Sequence, residues 1–209
     1  MGRNRVTAPS PYQGLDESAC TDKTRELIDA HPVDPKEFVE VVLLSWDAIF
    51  SSRIGAKGFR VGEHLFPKPQ IMGFFLHELI ALELESRYPR DWHGDKTAED
   101  KDLVYVSDVT FSVEIKTSSS KNRIFGNRSY AQRSEASADN PAKKGKSGYY
   151  LAVNFEKFSS TVGNPRDRLV RFGWLDANDW IGQKAATGQQ ARLQPSIERS
   201  KLLTLYSAE

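Results

Sequence analysis

Residues 101–118 read KDLVYVSDVTFSVEIKTS, a pattern that predicts two short β-strands around a turn. Side chains at positions i and i+2 of a strand share one face, so Glu114 and Lys116 should project together. Pairing between the two strands would bring Asp102 close to them. Two carboxylates and one ammonium at a sheet edge suit a divalent metal ion and a phosphate group, which suggests hydrolysis of a phosphodiester.

Two alternatives weaken this interpretation. A Glu-x-Lys pair on a strand is most often an exposed salt bridge without catalytic meaning. Asp108 also competes with Asp102 for the role of metal ligand. Its position between two apolar runs is more typical of a turn residue, so Asp102 is preferred.

The composition indicates one domain of 209 residues, of which 39% are apolar. Residues 1–20 are rich in Pro, Ser and Gly and are expected to form a flexible arm, with a single domain over residues 21–209. The single cysteine, Cys20, excludes an internal disulfide and a zinc site with several cysteines. No run reaches the roughly 20 apolar residues of a membrane span, and no signal peptide is recognisable. A cytoplasmic protein without membrane contact is therefore expected.

Charge is divided between two consecutive blocks, although the net charge is only +1. Residues 77–114 hold ten acidic and four basic side chains, and residues 116–146 hold eight basic and two acidic ones. An acidic block beside a basic one would suit a metal ion next to a polyanion. The alternative is two solvated surfaces whose charges cancel.

The periodicity of the apolar residues predicts an α/β fold, in which helices flank a mixed β-sheet. Helices are predicted over 21–30, 36–51 and 71–87, and strands over 102–107, 109–117, 149–155 and 168–175. A helical turn is expected over 176–181, and a strand or a short helix over 201–206. The second helix has Asp34 as a cap and Pro35 at its first position.

The helix over 71–87 carries an apolar face at a period near 3.6 residues. Glu78 and Glu85 fall beside that face, whereas Glu83 falls inside it. An acidic side chain within an apolar arc is either paired or functional, because an unpaired buried charge is costly.

Asp102, eleven intervening residues and then Glu114-Ile115-Lys116 resemble the motif of the PD-(D/E)xK nuclease superfamily. The resemblance implies a restriction-endonuclease-like core and hydrolysis that depends on Mg²⁺. Asp102, Glu114 and the carbonyl of Ile115 would bind the metal, and Lys116 would orient water or stabilise the phosphorane. The chain departs from the pattern at Lys101, where the superfamily often has proline.

Those enzymes often use a further acid from a helix before the core. The run Gly73-Phe-Phe-Leu-His-Glu78 resembles that element, and it implies a catalytic role for Glu78. Glu83 remains the rival, because the helical periodicity favours it as the buried acid.

Two longer segments, 115–132 and 182–193, resemble the ScaI-like family of type II restriction endonucleases, within a resemblance that covers about residues 36–195. It implies a homodimer that cleaves double-stranded DNA at a short palindromic site. Two alternatives from the residues stay open: a structure-selective repair nuclease or junction resolvase of the same fold, and a DNA-binding module without catalysis.

The two segments also supply candidate contacts to DNA. Serine and lysine side chains suit phosphates, whereas arginine, asparagine and glutamine side chains can read base edges. The candidates are Ser118, Ser119, Lys121, Arg123, Asn127, Arg128, Tyr130, Gln132, Gln183, Gln190 and Arg192. The alternative is a pair of polar surface loops that never meet DNA. No catalytic role is expected for the histidines, and His31 is expected at the surface.

Overall fold

The computed structural model describes residues 10–127, 145–182 and 191–208. The helices are α1 (Glu17–Asp29), α2 (Pro35–Ser51), α3 (Pro69–Arg87) and α4 (Pro195–Lys201). The strands are β1 (Trp92–Gly94), β2 (Leu103–Tyr105), β3 (Val113–Ser118), β4 (Phe125–Gly126), β5 (Gly148–Phe155), β6 (Asp167–Leu175), β7 (Ile181–Gly182), β8 (Ala191–Arg192) and β9 (Leu202–Ser207). None of the helices in these ranges combines the length and the apolar content that a membrane span requires.

Within the described residues, six strands form the main sheet in the order β1-β2-β3-β5-β6-β9. β3 and β5 are parallel, and the other neighbours are antiparallel. This arrangement confirms the predicted α/β class with a mixed central sheet. A second, smaller sheet joins β4, β8 and β7, and none of its two-residue strands was predicted because so short a strand shows no periodicity.

The main sheet is covered on both faces, and β5 shows the consequence. All eight of its residues are buried. Leu151 and Val153 pack towards the helices, whereas Tyr150 and Ala152 pack against Ile124 on the opposite face. A strand covered on both sides reads as a continuous apolar run, which is why this strand was predictable.

The beginning of the chain differs from the prediction. α1 begins at Glu17 rather than near residue 21, because the Asp16 side chain accepts a hydrogen bond from the Ala19 N–H (2.8 Å). Tyr12 is buried, and its hydroxyl donates to the carbonyl of Trp174 at 3.0 Å. Tyr12 is therefore attached to β6 and residues 17–20 belong to α1, so this part of the predicted flexible arm is structured although residues 13–18 are exposed. Residues 1–9 lie outside the described ranges.

The connection between β2 and β3 also differs from the predicted strand over 109–117. Val109–Phe111 form a turn of 3-10 helix, and β3 begins only at Val113. Asp108 caps this turn, since its Oδ1 accepts from the N–H of Thr110 at 2.9 Å. The turn interpretation of Asp108 is thereby confirmed.

His31 lies under this turn, which corrects its expected surface position. It is buried, its Nε2 donates to the carbonyl of Phe111 (3.0 Å), and its Nδ1 accepts from the N–H of Val33 (3.2 Å). Burial lowers the pKa of His31 to about 4. The neutral ring therefore fixes the turn that leads into β3.

Candidate active site

β3 places the Glu-x-Lys pair on one face of the sheet. Glu114 is opposite Tyr150 and Lys116 is opposite Ala152 in the register with β5. The Lys116 ammonium donates to Glu114 Oε1 at 2.5 Å, and Glu114 is only 2% exposed. The shared face predicted from the sequence is confirmed, and the pair is not the exposed salt bridge of the alternative interpretation.

Asp102 joins this pair from the residue before β2. It is 6% exposed, and its Oδ2 accepts a hydrogen bond from the Ile115 N–H at 2.7 Å. Ile115 lies between the two charged residues of β3, so Asp102 is tied to the same three-residue stretch. Asp108, in contrast, is exposed at the 3-10 turn.

A histidine that the sequence did not single out completes the link to α3. His77 Nε2 lies 3.2 Å from Asp102 Oδ2, and His77 Nδ1 lies 3.2 Å from Glu78 Oε1. Burial acts to lower the pKa of His77, but hydrogen bonds and charge from Asp102 and Glu78 outweigh it and raise that pKa. The sequence contains one indication of a role for His77, because this residue directly precedes the candidate acid Glu78 in the predicted helix.

The two candidate helix acids have different surroundings. Glu78 is 49% exposed at its side chain and reaches Asp102 through His77. Glu83 forms an ion pair with Arg87 at 3.1 Å on the same helix. The structure thus links Glu78 to Asp102 through His77, whereas Glu83, the acid inside the apolar arc, pairs with Arg87 on its own helix.

α3 approaches β3 closely at Gly73, one turn before His77. A Cβ added to Gly73 would lie 2.8 Å from Thr117 Oγ1, and that hydroxyl donates to the Gly73 carbonyl at 3.3 Å. A cleft of about 630 Å³ lies between α3 and the end of β3, with Gln70, Phe74, His77 and Ser118–Ser120 among its lining. The absence of a side chain at position 73 therefore sets how near the helix comes to β3.

The candidate DNA contacts are only partly described. Ser118 ends β3, and its Oγ accepts from the N–H of Ser120 (3.1 Å). Lys121, Asn127 and Arg192 are exposed, whereas Ser119 and Arg123 are partly buried. The remaining candidates, Arg128, Tyr130, Gln132, Gln183 and Gln190, lie outside the described residues.

The small sheet brings the two predicted DNA-binding segments together. β4 lies within the first segment, residues 115–132, and pairs with β8, which lies within the second segment, residues 182–193. In this pairing Phe125 is opposite Arg192. β8 also pairs with β7, which ends at Gly182. The described flanks of both segments are therefore neighbours, a proximity that their separation in sequence does not indicate.

Comparison with known proteins matches the chain to one family. The family model for the ScaI restriction endonuclease matches residues 10–206. The type II restriction enzyme ScaI of Streptomyces caespitosus is 46% identical over 204 residues, which cover 96% of this chain and 86% of that enzyme. The match confirms the resemblance and extends it to nearly the whole chain. The chain belongs to the ScaI restriction endonuclease family, and it is a site-specific deoxyribonuclease of type II.

Proposed function

We propose that this restriction endonuclease hydrolyses phosphodiester bonds with Mg²⁺ held by Asp102, Glu114 and the Ile115 carbonyl, and with Lys116 beside the reacting phosphate. One observation carries the proposal. Asp102 is bonded to the backbone of Ile115, while Glu114 and Lys116, on either side of that residue, are in contact.

The donors at this position fit Mg²⁺. In the described ranges, no group of three or more His, Cys, Asp or Glu side chains is arranged to hold a metal. Mg²⁺ needs no such group, because it commonly takes one or two carboxylates, with waters and phosphate oxygens as its other ligands. The N–H and C=O of a strand residue point to the same neighbour, so the Ile115 carbonyl should face Asp102 as its N–H does.

The protein side chains would then have separate tasks. Bound Mg²⁺ would lower the pKa of a coordinated water and neutralise charge at the phosphoryl group. The Lys116 ammonium would orient the attacking water or stabilise the charge that develops on the phosphoryl oxygens. His77 would keep the Asp102 carboxylate in place from α3, and Glu78 would support His77 from the helix surface.

The substrate proposed is double-stranded DNA with a short palindromic site, cleaved by a homodimer in the cytoplasm. A palindrome has a twofold axis, and a symmetric dimer would present one active site to each strand. Ser118, Ser119 and Lys121 would contact phosphates at the end of β3. The arginine, asparagine, glutamine and tyrosine candidates of the two polar segments would contact bases or the backbone.

Plasmid cleavage with defined metal tests the site. The protein should give discrete fragments with Mg²⁺ and none after chelation. Asp102→Ala, Glu114→Ala and Lys116→Ala should each reduce the rate by at least about 100-fold, as expected for transition-state contacts of this kind. Asp108→Ala, in the exposed turn, is the matched carboxylate control and should cleave normally. Full activity in the Asp102 and Lys116 variants would refute the proposed site.

A further inference from the structure

Three buried polar residues form a cluster on the sheet face that carries Glu114 and Lys116. Asn154, Arg171 and Glu198 are 0%, 5% and 7% exposed, and they come from β5, β6 and α4. Arg171 Nη2 donates to Asn154 Oδ1 at 3.0 Å, and Arg171 Nη1 lies 3.4 Å from Glu198 Oε2. Apolar residues often replace a buried ion pair without loss of stability, so stability alone does not account for this cluster.

The cluster binds the backbone that leaves the catalytic strand. Asn154 Nδ2 donates to the carbonyls of Ser120 and Arg123, both at 2.9 Å. Glu198 Oε1 accepts from the N–H of Ile124 at 3.3 Å. We call residues 118–124 the exit segment. Its backbone is thus held at three points by side chains from two different elements.

The register places this attachment close to the active site. Asn154 is opposite Ser118, the last residue of β3, and Ala152 is opposite Lys116. Asn154 therefore lies two residues beyond the level of Lys116 on the same face of the sheet. Between the two bound carbonyls, Lys121 and Asn122 are exposed. The cluster consequently fixes where the exposed side chains of the exit segment stand relative to Lys116.

We propose that Asn154, Arg171 and Glu198 are positioning residues that hold the exit segment in its DNA-binding conformation and so determine affinity and site selectivity. This inference rests on the proposed contact between the exit segment and DNA. A segment that is ordered before binding loses less conformational entropy when DNA arrives. A mobile exit segment would bind more weakly and would accept altered sites more readily, without direct damage to the chemistry at Lys116.

The test is Asn154→Asp, with Asn154→Ala as a second variant. The aspartate keeps the volume and the acceptor for Arg171, but it places an oxygen against the Ser120 and Arg123 carbonyls. KM and kcat should be measured on a duplex with the recognised site and on duplexes with one base pair changed. We expect KM for the recognised site to rise about tenfold or more, because the loss of one or two hydrogen bonds has an effect of this size. The discrimination between the recognised and the altered sites should fall by a similar factor. The value of kcat at saturating DNA should stay within about threefold of wild type.

The matched control is Asp179→Asn, in another buried ion pair. Asp179 accepts from Lys201 at 2.9 Å, and its described contacts do not include the exit segment. This variant should lower the melting temperature while KM and discrimination stay unchanged. If the Asn154 variants fail to fold, Glu198→Ala, which removes the acceptor for the Ile124 N–H, gives the same comparison.

The outcomes separate the inference from the proposed function. Asn154 variants that change KM and discrimination no more than Asp179→Asn does would overturn the positioning role. A raised KM in Lys121→Ala together with normal Asn154 variants would overturn it as well, while the DNA contact would stand. Unchanged KM in Lys121→Ala and in every Asn154 variant would refute the DNA contact, and the positioning role with it.

Discussion

Asp102 receives two nitrogen contacts through one carboxylate oxygen, from the Ile115 backbone at 2.7 Å and from His77 at 3.2 Å. The first contact comes from the neighbouring strand and the second from α3. The orientation of this carboxylate therefore depends on the packing of the helix against the sheet. Spacing in the sequence identified Asp102, but it could not indicate His77, because helix and strand meet only in the folded chain.

Replacement of His77 tests that orientation. We expect His77→Ala to reduce cleavage by roughly 10- to 100-fold and to raise the Mg²⁺ concentration needed for half-maximal rate, as is usual when a partner of a metal ligand is lost. A Mg²⁺ titration of the initial rate measures both effects. His64→Ala is the control, because His64 is half exposed at the side chain and its described contacts are with Phe59, Arg60 and Glu63, away from Asp102. An unchanged Mg²⁺ dependence in His77→Ala would contradict the orienting role.

A second residue-level prediction concerns stability. Asp167 is buried, and neither carboxyl oxygen has a hydrogen-bond partner among the described residues. Burial, with a smaller contribution from the charge of Asp47, raises the pKa of Asp167 from 3.8 to about 8. The folded state therefore keeps a proton that the unfolded state releases above pH 4. The associated stability is fully present at low pH and is lost as the pH rises towards 8, by at most about 1.4 kcal/mol per pH unit.

Urea unfolding between pH 5 and pH 8 measures this loss. Asp167→Asn has no carboxyl proton to release, so its free energy of unfolding should fall less over that range than that of wild type. The difference between the two proteins should grow towards pH 8 and reach the order of a few kcal/mol. Parallel pH profiles for the two proteins would show that Asp167 is ionised in the folded state.

At the scale of elements, helices and strands with long apolar patterns could be predicted from the sequence, whereas short ones could not. α2 was predicted to within one residue, because Asp34 accepts from the Lys36 N–H at 2.8 Å and Pro35 occupies the first turn. α1 was predicted too short, since its cap at Asp16 lies in a stretch of loop-like composition. α4 was not predicted as a helix, because its seven residues are too few to show a helical period.

A close approach between elements gives the third prediction. A Cβ at Gly173 in β6 would lie 2.0 Å from the backbone carbonyl oxygen of Lys201, where α4 meets β9. We expect Gly173→Ala to displace this backbone and to destabilise the protein by about 3 kcal/mol or more, at the upper end of overpacking costs. Gly163→Ala is the control, because nothing lies within 4 Å of its added Cβ. Equal melting temperatures for the two variants would contradict the predicted clash.

At the scale of the whole molecule, the net charge close to zero results from two segments of opposite charge, for which we propose different tasks. The net charge is +1, although residues 77–114 and residues 116–146 carry opposite excesses. The acidic excess includes Asp102 and Glu114, the proposed metal ligands, and the basic excess includes the exit segment. Metal binding would remove the repulsion between these carboxylates and a DNA phosphate.

The proposed homodimer can be tested with mixed dimers. Wild-type chains co-expressed with tagged Lys116→Ala chains should give dimers with one working site. These should nick supercoiled plasmid to the open circular form and linearise it far more slowly, because each site is proposed to cut one strand. Isolated mixed dimers, assayed by gel over time, provide the measurement, and tagged wild-type dimers are the control. Direct linearisation at the wild-type rate, or a protein that is monomeric with and without DNA, would contradict the dimer.

The sequence by itself determined the shared face of the Glu-x-Lys pair and the main elements. The alternation of side chains along β3 requires Glu114 and Lys116 to share a face in any fold that keeps this strand. Long apolar runs likewise identified β5, α2 and α3. These features depend on neighbours within one element, and such neighbours are visible in the order of residues.

Only the tertiary structure decided which distant residues meet. The contact of His77 with Asp102 joins residues 25 positions apart. The contact of Asn154 with Arg123 in the exit segment spans 31 positions, and the contact of His31 with Phe111 spans 80. Such contacts follow from the order and register of the strands and from how closely the helices pack on them. The local periodicity of the sequence does not encode which distant residues meet. Those contacts form when the other elements pack on both faces of the sheet.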